Sequence, residues 1–145
     1  MCGITGLVYF NKNFVENNLL LKMTNALAHR GPDYQNTWVS KNQKVGFGHT
    51  RLAILDISKN ANQPMISYSK RFIIVFNGEI YNFMNIKKEL NSNVQYKTSS
   101  DTEIILHALD HWGVDKTIKK LNGMFSICIW DNYHDTVYLV RDRIG

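Results

Sequence analysis

MCGITGLVYF, residues 1–10, is the stretch that decides the fold of this chain. The apolar run from Ile4 onward predicts a strand that begins almost directly after Cys2. Cysteine is small enough to permit removal of Met1, and the mature chain would then begin with a thiol beside a free α-amino group. Such an amine is partly unprotonated near neutral pH and can activate a neighbouring nucleophile. Cys2 is thus a candidate N-terminal nucleophile, although Cys2 alone favours the simpler interpretation of a chance cysteine, and the case depends on the rest of the chain.

The pattern that follows this strand predicts alternating helices and short strands. Helices are predicted from Val15 to about His29, near 85–90, and from the capping box Ser100–Glu103 to Trp112. Strands are predicted at 37–40, 45–55 and 72–76, with Asn77–Gly78 as a turn signal, and in a hairpin that pairs 125–130 with 136–140. This order favours an α+β or layered α/β fold with largely antiparallel sheets.

The composition is that of one globular domain. The chain has 145 residues, 44% of them hydrophobic and 20% charged. No run approaches the roughly 20 apolar residues of a membrane span, and no signal peptide precedes the first strand. We therefore expect a cytoplasmic protein that has no membrane partner. The net charge of +5 is spread along the chain, which argues against a nucleic-acid partner.

The cysteines and histidines predict neither a disulfide framework nor a metal site. The two cysteines are Cys2 and Cys128, and the second lies in an apolar run where it is expected to be a small buried hydrophobe. His107 and His111 are four residues apart on a predicted helix, but no third ligand accompanies them.

Five short motifs occur in order and are specific only together. They are Cys2–Gly3–Ile4, His29–Arg30–Gly31–Pro32–Asp33, Gly48–His49–Thr50–Arg51–Leu52, Asn77–Gly78–Glu79–Ile80–Tyr81–Asn82 and Ser100–Asp101–Thr102–Glu103. The chain resembles, over residues 1–145, the glutaminase domain of glutamine-hydrolysing asparagine synthetases. That domain is a class II (type 2) glutamine amidotransferase and an N-terminal nucleophile (Ntn) hydrolase. The resemblance implies a four-layer αββα sandwich with antiparallel sheets.

The resemblance also implies the reaction and the residues that perform it. Cys2 would attack the side-chain amide of L-glutamine and form a thioester, with Asn77 and the N–H of Gly78 as the oxyanion hole. Arg51 would bind the substrate carboxylate, for which a guanidinium is well suited. The remaining substrate-binding residues implied by the resemblance are Leu52, Ala53, Ile54, Leu55, Glu79 and Asp101. The motif His29–Asp33 is expected to be a turn that shapes the site.

Two of these assignments have a structural alternative. Asn77–Gly78 is also the commonest sequence of a tight hairpin turn. An acid such as Asp101 is favoured in a first helical turn by the helix dipole alone. Alternatives for the whole chain are the same glutaminase chemistry serving another acceptor, such as a sugar or sugar acid, and an inactive remnant.

The end of the chain suggests that the domain is incomplete. It stops at 141–145, RDRIG, directly after a predicted strand. By the resemblance, a full-length enzyme would continue into a synthetase domain that uses ATP and Mg to amidate aspartate, and its oligomeric state is open. We expect no cofactor in the present segment. We also expect marginal stability, because missing strands would leave sheet edges uncovered.

Overall fold

The computed structural model describes residues 1–54, 56–90 and 95–145, and it has an α+β fold with antiparallel sheets. The strands are β1 (Gly3–Val8), β2 (Tyr34–Val39), β3 (Val45–Arg51), β4 (Met65–Ile66), β5 (Phe72–Ile80), β6 (Gly123–Asp131) and β7 (Thr136–Arg141). The helices are α1 (Asn17–Asn25), α2 (Phe83–Leu90), α3 (Asp101–Trp112) and α4 (Val114–Lys120). Single helical turns lie at Ala28–Arg30 and Lys59–Ala61.

The described strands form two antiparallel sheets. One has the order β1-β3-β2 and the other the order β4-β5-β6-β7. The predicted hairpin is confirmed, since Asp131 pairs with Thr136 at its turn and β6 and β7 run antiparallel from there. The prediction for Asn77–Gly78 as a turn is wrong, because β5 pairs with β6 without interruption as far as Ile80. The short helix α4 is an addition to the predicted elements.

The smaller of two buried apolar clusters is formed by side chains from both sheets. Its buried members are Val45, Phe47, Ile73, Val75, Cys128 and Trp130. Alternate residues of a strand point to opposite faces, so this cluster places one face of β3 against one face of β5 and β6. Cys128 is buried as predicted, and burial raises the pKa of its thiol to about 12.

The opposite faces of the sheets are covered by helices. Phe72, Ile74 and Phe76 of β5 pack with α2 and α3 in the larger apolar cluster. Helix α1 lies on the first sheet, where a Cβ at Gly48 would be 2.1 Å from Thr24 Oγ1. Gly48 is therefore a position at which this helix approaches β3 closely.

Helix α3 begins where its sequence predicts. The hydroxyl of Ser100 accepts a hydrogen bond from the N–H of Glu103, as in a capping box. The carboxylate of Glu103 does not return to Ser100 but accepts hydrogen bonds from the N–H groups of Lys97 and Thr98. The cap thus also holds the segment that leads into the helix.

Candidate active site

Most of the predicted site residues line one small pocket, of about 90 Å³, between the ends of β3, β5 and α3. The predicted residues that line it are Cys2, Arg51, Leu52, Ile54, Asn77, Gly78 and Asp101. They come from parts of the chain up to 99 positions apart, so only the tertiary fold assembles them.

The thiol of Cys2 lies against the backbone that follows β3. The N–H of Leu52 is 3.4 Å from Cys2 Sγ, and Sγ is 3.7 Å from the carbonyl oxygen of the same residue. Arg30 Nε donates a hydrogen bond of 3.0 Å to the Cys2 carbonyl. Cys2 is therefore held from both sides, by its thiol and by its own backbone.

The His29–Asp33 motif shapes this end of the site through its contacts. Besides the Arg30 bond to Cys2, the N–H of Asp33 bonds the carbonyl of Arg51 at 3.0 Å. Asp33 Oδ2 accepts the N–H of Ala53 at 2.8 Å. Gly31 lies so close to β3 that a Cβ there would be 2.4 Å from the carbonyl oxygen of Thr50. The predicted turn is present, and its role is to hold Cys2 and the end of β3.

The side chain of Arg51 is buried and holds the loop that follows β3. Its Nη1 donates to the Ser58 carbonyl at 2.8 Å and to Asn62 Oδ1 at 2.7 Å, and its Nη2 donates to the Asp56 carbonyl. A guanidinium has five N–H donors, so these three bonds leave donors for a ligand. Arg51 is thus both a brace of the pocket wall and a candidate carboxylate ligand.

Asp56, a residue the sequence interpretation missed, connects this loop to the start of α3. Its carboxylate accepts hydrogen bonds from the N–H of Ser58 at 2.7 Å and from the N–H of Ser99 at 2.8 Å. These hydrogen bonds, those from Ser58 first, lower the pKa of Asp56 to about 2. The carboxylate is therefore ionised at neutral pH, and it ties together two walls of the pocket.

The edge of β5 explains how Gly78 can offer its N–H. Among the described residues, β4 pairs with β5 only opposite Ile73 and Ile74, so this edge has no strand neighbour farther along. Two side chains accept hydrogen bonds from this edge instead. Gln63 Oε1 accepts the N–H of Phe76, and Asp101 Oδ2 accepts the N–H of Ile80. Backbone N–H groups alternate between the two sides of a strand. The N–H of Gly78 therefore points to the same edge, between these two caps.

Asn77 and Gly78 fit this place for separate reasons. Asn77 Oδ1 is buried and has no hydrogen-bond partner among the described residues, so the fold itself does not use this amide oxygen. Gly78 has φ +155°, and a Cβ there would lie 2.2 Å from the Met124 carbonyl oxygen and 2.6 Å from the Phe125 Cα. Only glycine lets β6 pair so closely here.

Asp101 lies at the first turn of α3, with its side chain in the pocket. Burial raises the pKa of its carboxyl, the hydrogen bond from Ile80 opposes this, and the charge of Glu79 adds to the rise. Glu79 is exposed and does not line the pocket, so it acts here through its charge on Asp101. A cationic ligand near Asp101 would offset both effects.

His49 is a second buried polar group behind the site that the sequence interpretation did not assign. It is fully buried on β3, and neither ring nitrogen has a hydrogen-bond partner in the described part of the chain. Burial lowers the pKa of His49 to about 4; the Phe76 carbonyl opposes this shift, and the charge of Arg51 adds to it. The ring is therefore neutral at physiological pH.

Among the described residues, the predicted Ala53 and Glu79 do not line the pocket. The side chain of Ala53 is outside it, and only its N–H is engaged, by Asp33. Leu55 lies outside the described residues. A larger cavity, of about 760 Å³, is lined by parts of β2, β4 and α3 and contains none of the predicted site residues. Cys2 lines the smaller pocket and not this cavity, so the smaller pocket is the candidate active site.

Two further searches of the described residues bear on function. Within 1–54, 56–90 and 95–145, no three His, Cys, Asp or Glu side chains form a group that could hold a metal ion. None of the helices built by these residues has the length and apolar character needed to cross a membrane.

Comparison with known proteins identifies the class. The family model of the glutamine amidotransferase domain matches residues 1–145, so the chain belongs to that enzyme family. Asparagine synthetase [glutamine-hydrolyzing] 3 of Bacillus subtilis is 41% identical over 149 residues, with all of this chain aligned. Asparagine synthetase [glutamine-hydrolyzing] 2 of the same organism is 36% identical, again over the whole chain.

A relative of another kind is amidase chry2 of Gibberella zeae, which is 37% identical over 82% of this chain. The chain spans 24%, 19% and 18% of the lengths of these three relatives. The similarity therefore concerns one domain of longer proteins.

Proposed function

We propose that this chain hydrolyses L-glutamine to glutamate and ammonia through a thioester on Cys2. The observation that carries the proposal is the single pocket that Cys2 shares with Arg51, Asn77, Gly78 and Asp101. Binding free glutamine and hydrolysing its side-chain amide requires a thiol nucleophile, oxyanion donors, a cation for the carboxylate and an acid for the ammonium.

Each group has a defined step in the proposed reaction. Removal of Met1 would free the α-amino group of Cys2, which takes the thiol proton as sulfur attacks the amide carbon of glutamine. The same amine returns the proton to the departing ammonia, leaving a γ-glutamyl thioester. Water then adds to the thioester, releases glutamate and restores the thiol. No cofactor is required for these steps.

The oxyanion formed in both steps would be stabilised by the Asn77 side-chain amide and the Gly78 N–H. Loss of one such donor typically lowers kcat about 10²–10³-fold. The substrate carboxylate would meet the free donors of Arg51, and its ammonium would meet Asp101. Glu79 adds negative charge to that end of the pocket. Together these contacts select a free amino acid over a peptide.

We further propose that the chain has the four-layer αββα architecture of Ntn hydrolases. The support is the packing, with α1 on one sheet, an apolar cluster between the two sheets, and α2 and α3 on the far side of β5. Cys2 directly precedes β1, the first strand of the three-stranded sheet.

In a full-length protein, the ammonia would serve ATP-dependent amidation of aspartate to asparagine in a synthetase domain, where ATP and Mg would bind. The support is the naming of the Bacillus subtilis relatives, which are several times longer than this chain. The second candidate function is transfer of the ammonia to another acceptor. Its support is the relative that is named an amidase.

The test is the intact mass of the purified chain before and after treatment with a diazo-ketone analogue of glutamine. We expect loss of Met1, one covalent adduct that maps to Cys2, and glutamine hydrolysis that Cys2→Ala abolishes without a change in the fold. Cys128 is an internal control, because its buried thiol should stay unmodified. Glutamine hydrolysis by Cys2→Ala near the wild-type rate would refute Cys2 as the nucleophile.

A further inference from the structure

Gln63 lines the candidate pocket, and its buried side chain has a hydrogen-bond partner at each end. Its side-chain oxygen accepts the N–H of Phe76 at 2.6 Å, and its side-chain nitrogen donates to Thr102 Oγ1 at 3.3 Å. The residue is only 5% exposed. One amide thus connects the strand that carries Asn77 with the helix that carries Asp101.

In the described structure the backbone does not make the strand contact that this side chain makes. β4 pairs with β5 no farther than Met65 opposite Ile74. The oxygen of Gln63 instead accepts from Phe76 two positions farther along β5. Without it, a buried N–H would be unpaired, which is unfavourable.

The place of this hydrogen bond matters because Phe76 is covalently joined to Asn77. The N–H of Phe76 is fixed by Gln63 and the N–H of Ile80 is fixed by Asp101. The segment between the two bonds carries the proposed oxyanion donors. A shift of the Phe76 backbone would change the positions of Asn77 and Gly78 relative to Cys2, which lines the same pocket.

We propose that Gln63 is a positioning residue for the oxyanion hole. It acts through the Phe76 backbone and Thr102, and it aligns Asn77 and Gly78 with Cys2. This inference rests on the proposed glutaminase function. A misaligned donor is lost only in part, so the effect should be smaller than the 10²–10³-fold loss for a deleted donor. We expect about a tenfold lower kcat.

The test compares Gln63→Met with Ser67→Ala in the full chain. Methionine keeps the shape of glutamine but cannot accept the Phe76 N–H. Ser67 is the matched control, because its buried hydroxyl accepts the N–H of Phe72 at 3.2 Å on the same strand. Each variant removes one side-chain bond to β5, and Ser67 does not line the candidate site.

We expect both variants to lower the melting temperature, while only Gln63→Met lowers kcat tenfold. The KM for glutamine should stay within about threefold, because the contacts assigned to Arg51 and Asp101 are kept. Equal kcat values for Gln63→Met and Ser67→Ala in an otherwise active protein would overturn the role of Gln63 alone. A processed wild type that neither hydrolyses glutamine nor reacts with the diazo-ketone would overturn the proposed function, and this inference with it.

A second pair of variants covers the case in which Gln63→Met does not fold. Thr102→Val removes the hydroxyl that orients the Gln63 amide, and Thr102→Ser keeps a hydroxyl at that place. We expect kcat to fall about threefold in Thr102→Val and to recover in Thr102→Ser. A lower kcat in Thr102→Ser than in Thr102→Val would contradict the proposal.

Discussion

Gly31 is the position at which one added methyl group should disturb the nucleophile from a distance. A Cβ there would lie 2.4 Å from the Thr50 carbonyl carbon and oxygen and 2.5 Å from the Arg51 nitrogen. These are backbone atoms of β3, which pairs with β1 on one side and β2 on the other. The strand cannot yield, so in Gly31→Ala the segment 29–33 must move away by about 1 Å to reach ordinary contact distance.

The cost of that movement can be worked out from the bonds it strains. Overpacking of this kind costs about 1–3 kcal/mol. The Asp33 N–H bond to the Arg51 carbonyl, 3.0 Å long, would add about 1 kcal/mol if it broke. We expect a total near 3 kcal/mol, which for a chain of this length lowers the melting temperature by about 10 °C. Since Gly31 has φ −151°, none of this cost comes from backbone strain.

The assay for Gly31→Ala is thermal unfolding together with glutaminase kinetics well below the melting temperature. Activity should fall as well, because Arg30 is adjacent and holds the Cys2 carbonyl. Gly113→Ala is the control, since a Cβ there meets no atom within 4 Å and its cost, about 1–3 kcal/mol, comes from the backbone conformation alone (φ +75°, ψ 176°). A Gly31→Ala melting temperature within 2 °C of wild type, on the order of 0.5 kcal/mol, would refute the steric reasoning.

Two further predictions concern charged groups. Burial alone would raise the pKa of Asp131, but hydrogen bonds from Arg71, His134 and the Tyr133 N–H outweigh it and hold the pKa below its ordinary range. The stability from this carboxylate is therefore present above about pH 4 and is lost as the pH falls further. Asp131→Asn should lower the free energy of unfolding by about 2 kcal/mol at pH 7, as measured with urea. Between pH 5 and 2.5 the variant should lose less stability than wild type, and equal losses would contradict this prediction. Arg51→Lys should raise the KM for glutamine at least tenfold. It should also loosen the loop at 56–62, because lysine cannot replace all three hydrogen bonds to that loop. An unchanged KM would show that Arg51 does not bind the substrate.

Local chemistry in the sequence was sufficient for several elements. The start of α3 follows from Ser100, because its hydroxyl caps the helix by accepting the N–H of Glu103, a residue only three positions away. The hairpin of β6 and β7 joins strands that are neighbours in sequence, so its register depends on a short turn. The resemblance carried by the motifs also identified the family and seven of the residues that line the pocket, beginning with Cys2.

The tertiary structure decided what depends on distant partners. Asn77–Gly78 has the sequence of a turn, yet β6, more than 40 residues away, keeps it in a strand and requires glycine by its close approach. A local sequence pattern also does not predict the two hydrogen-bond partners of Gln63. Nor does it predict the loop carbonyls that accept hydrogen bonds from Arg51. Sequence therefore determined which chemical groups this protein carries. Long-range strand pairing and burial determined which of them meet, because those contacts exist only once the two sheets have packed.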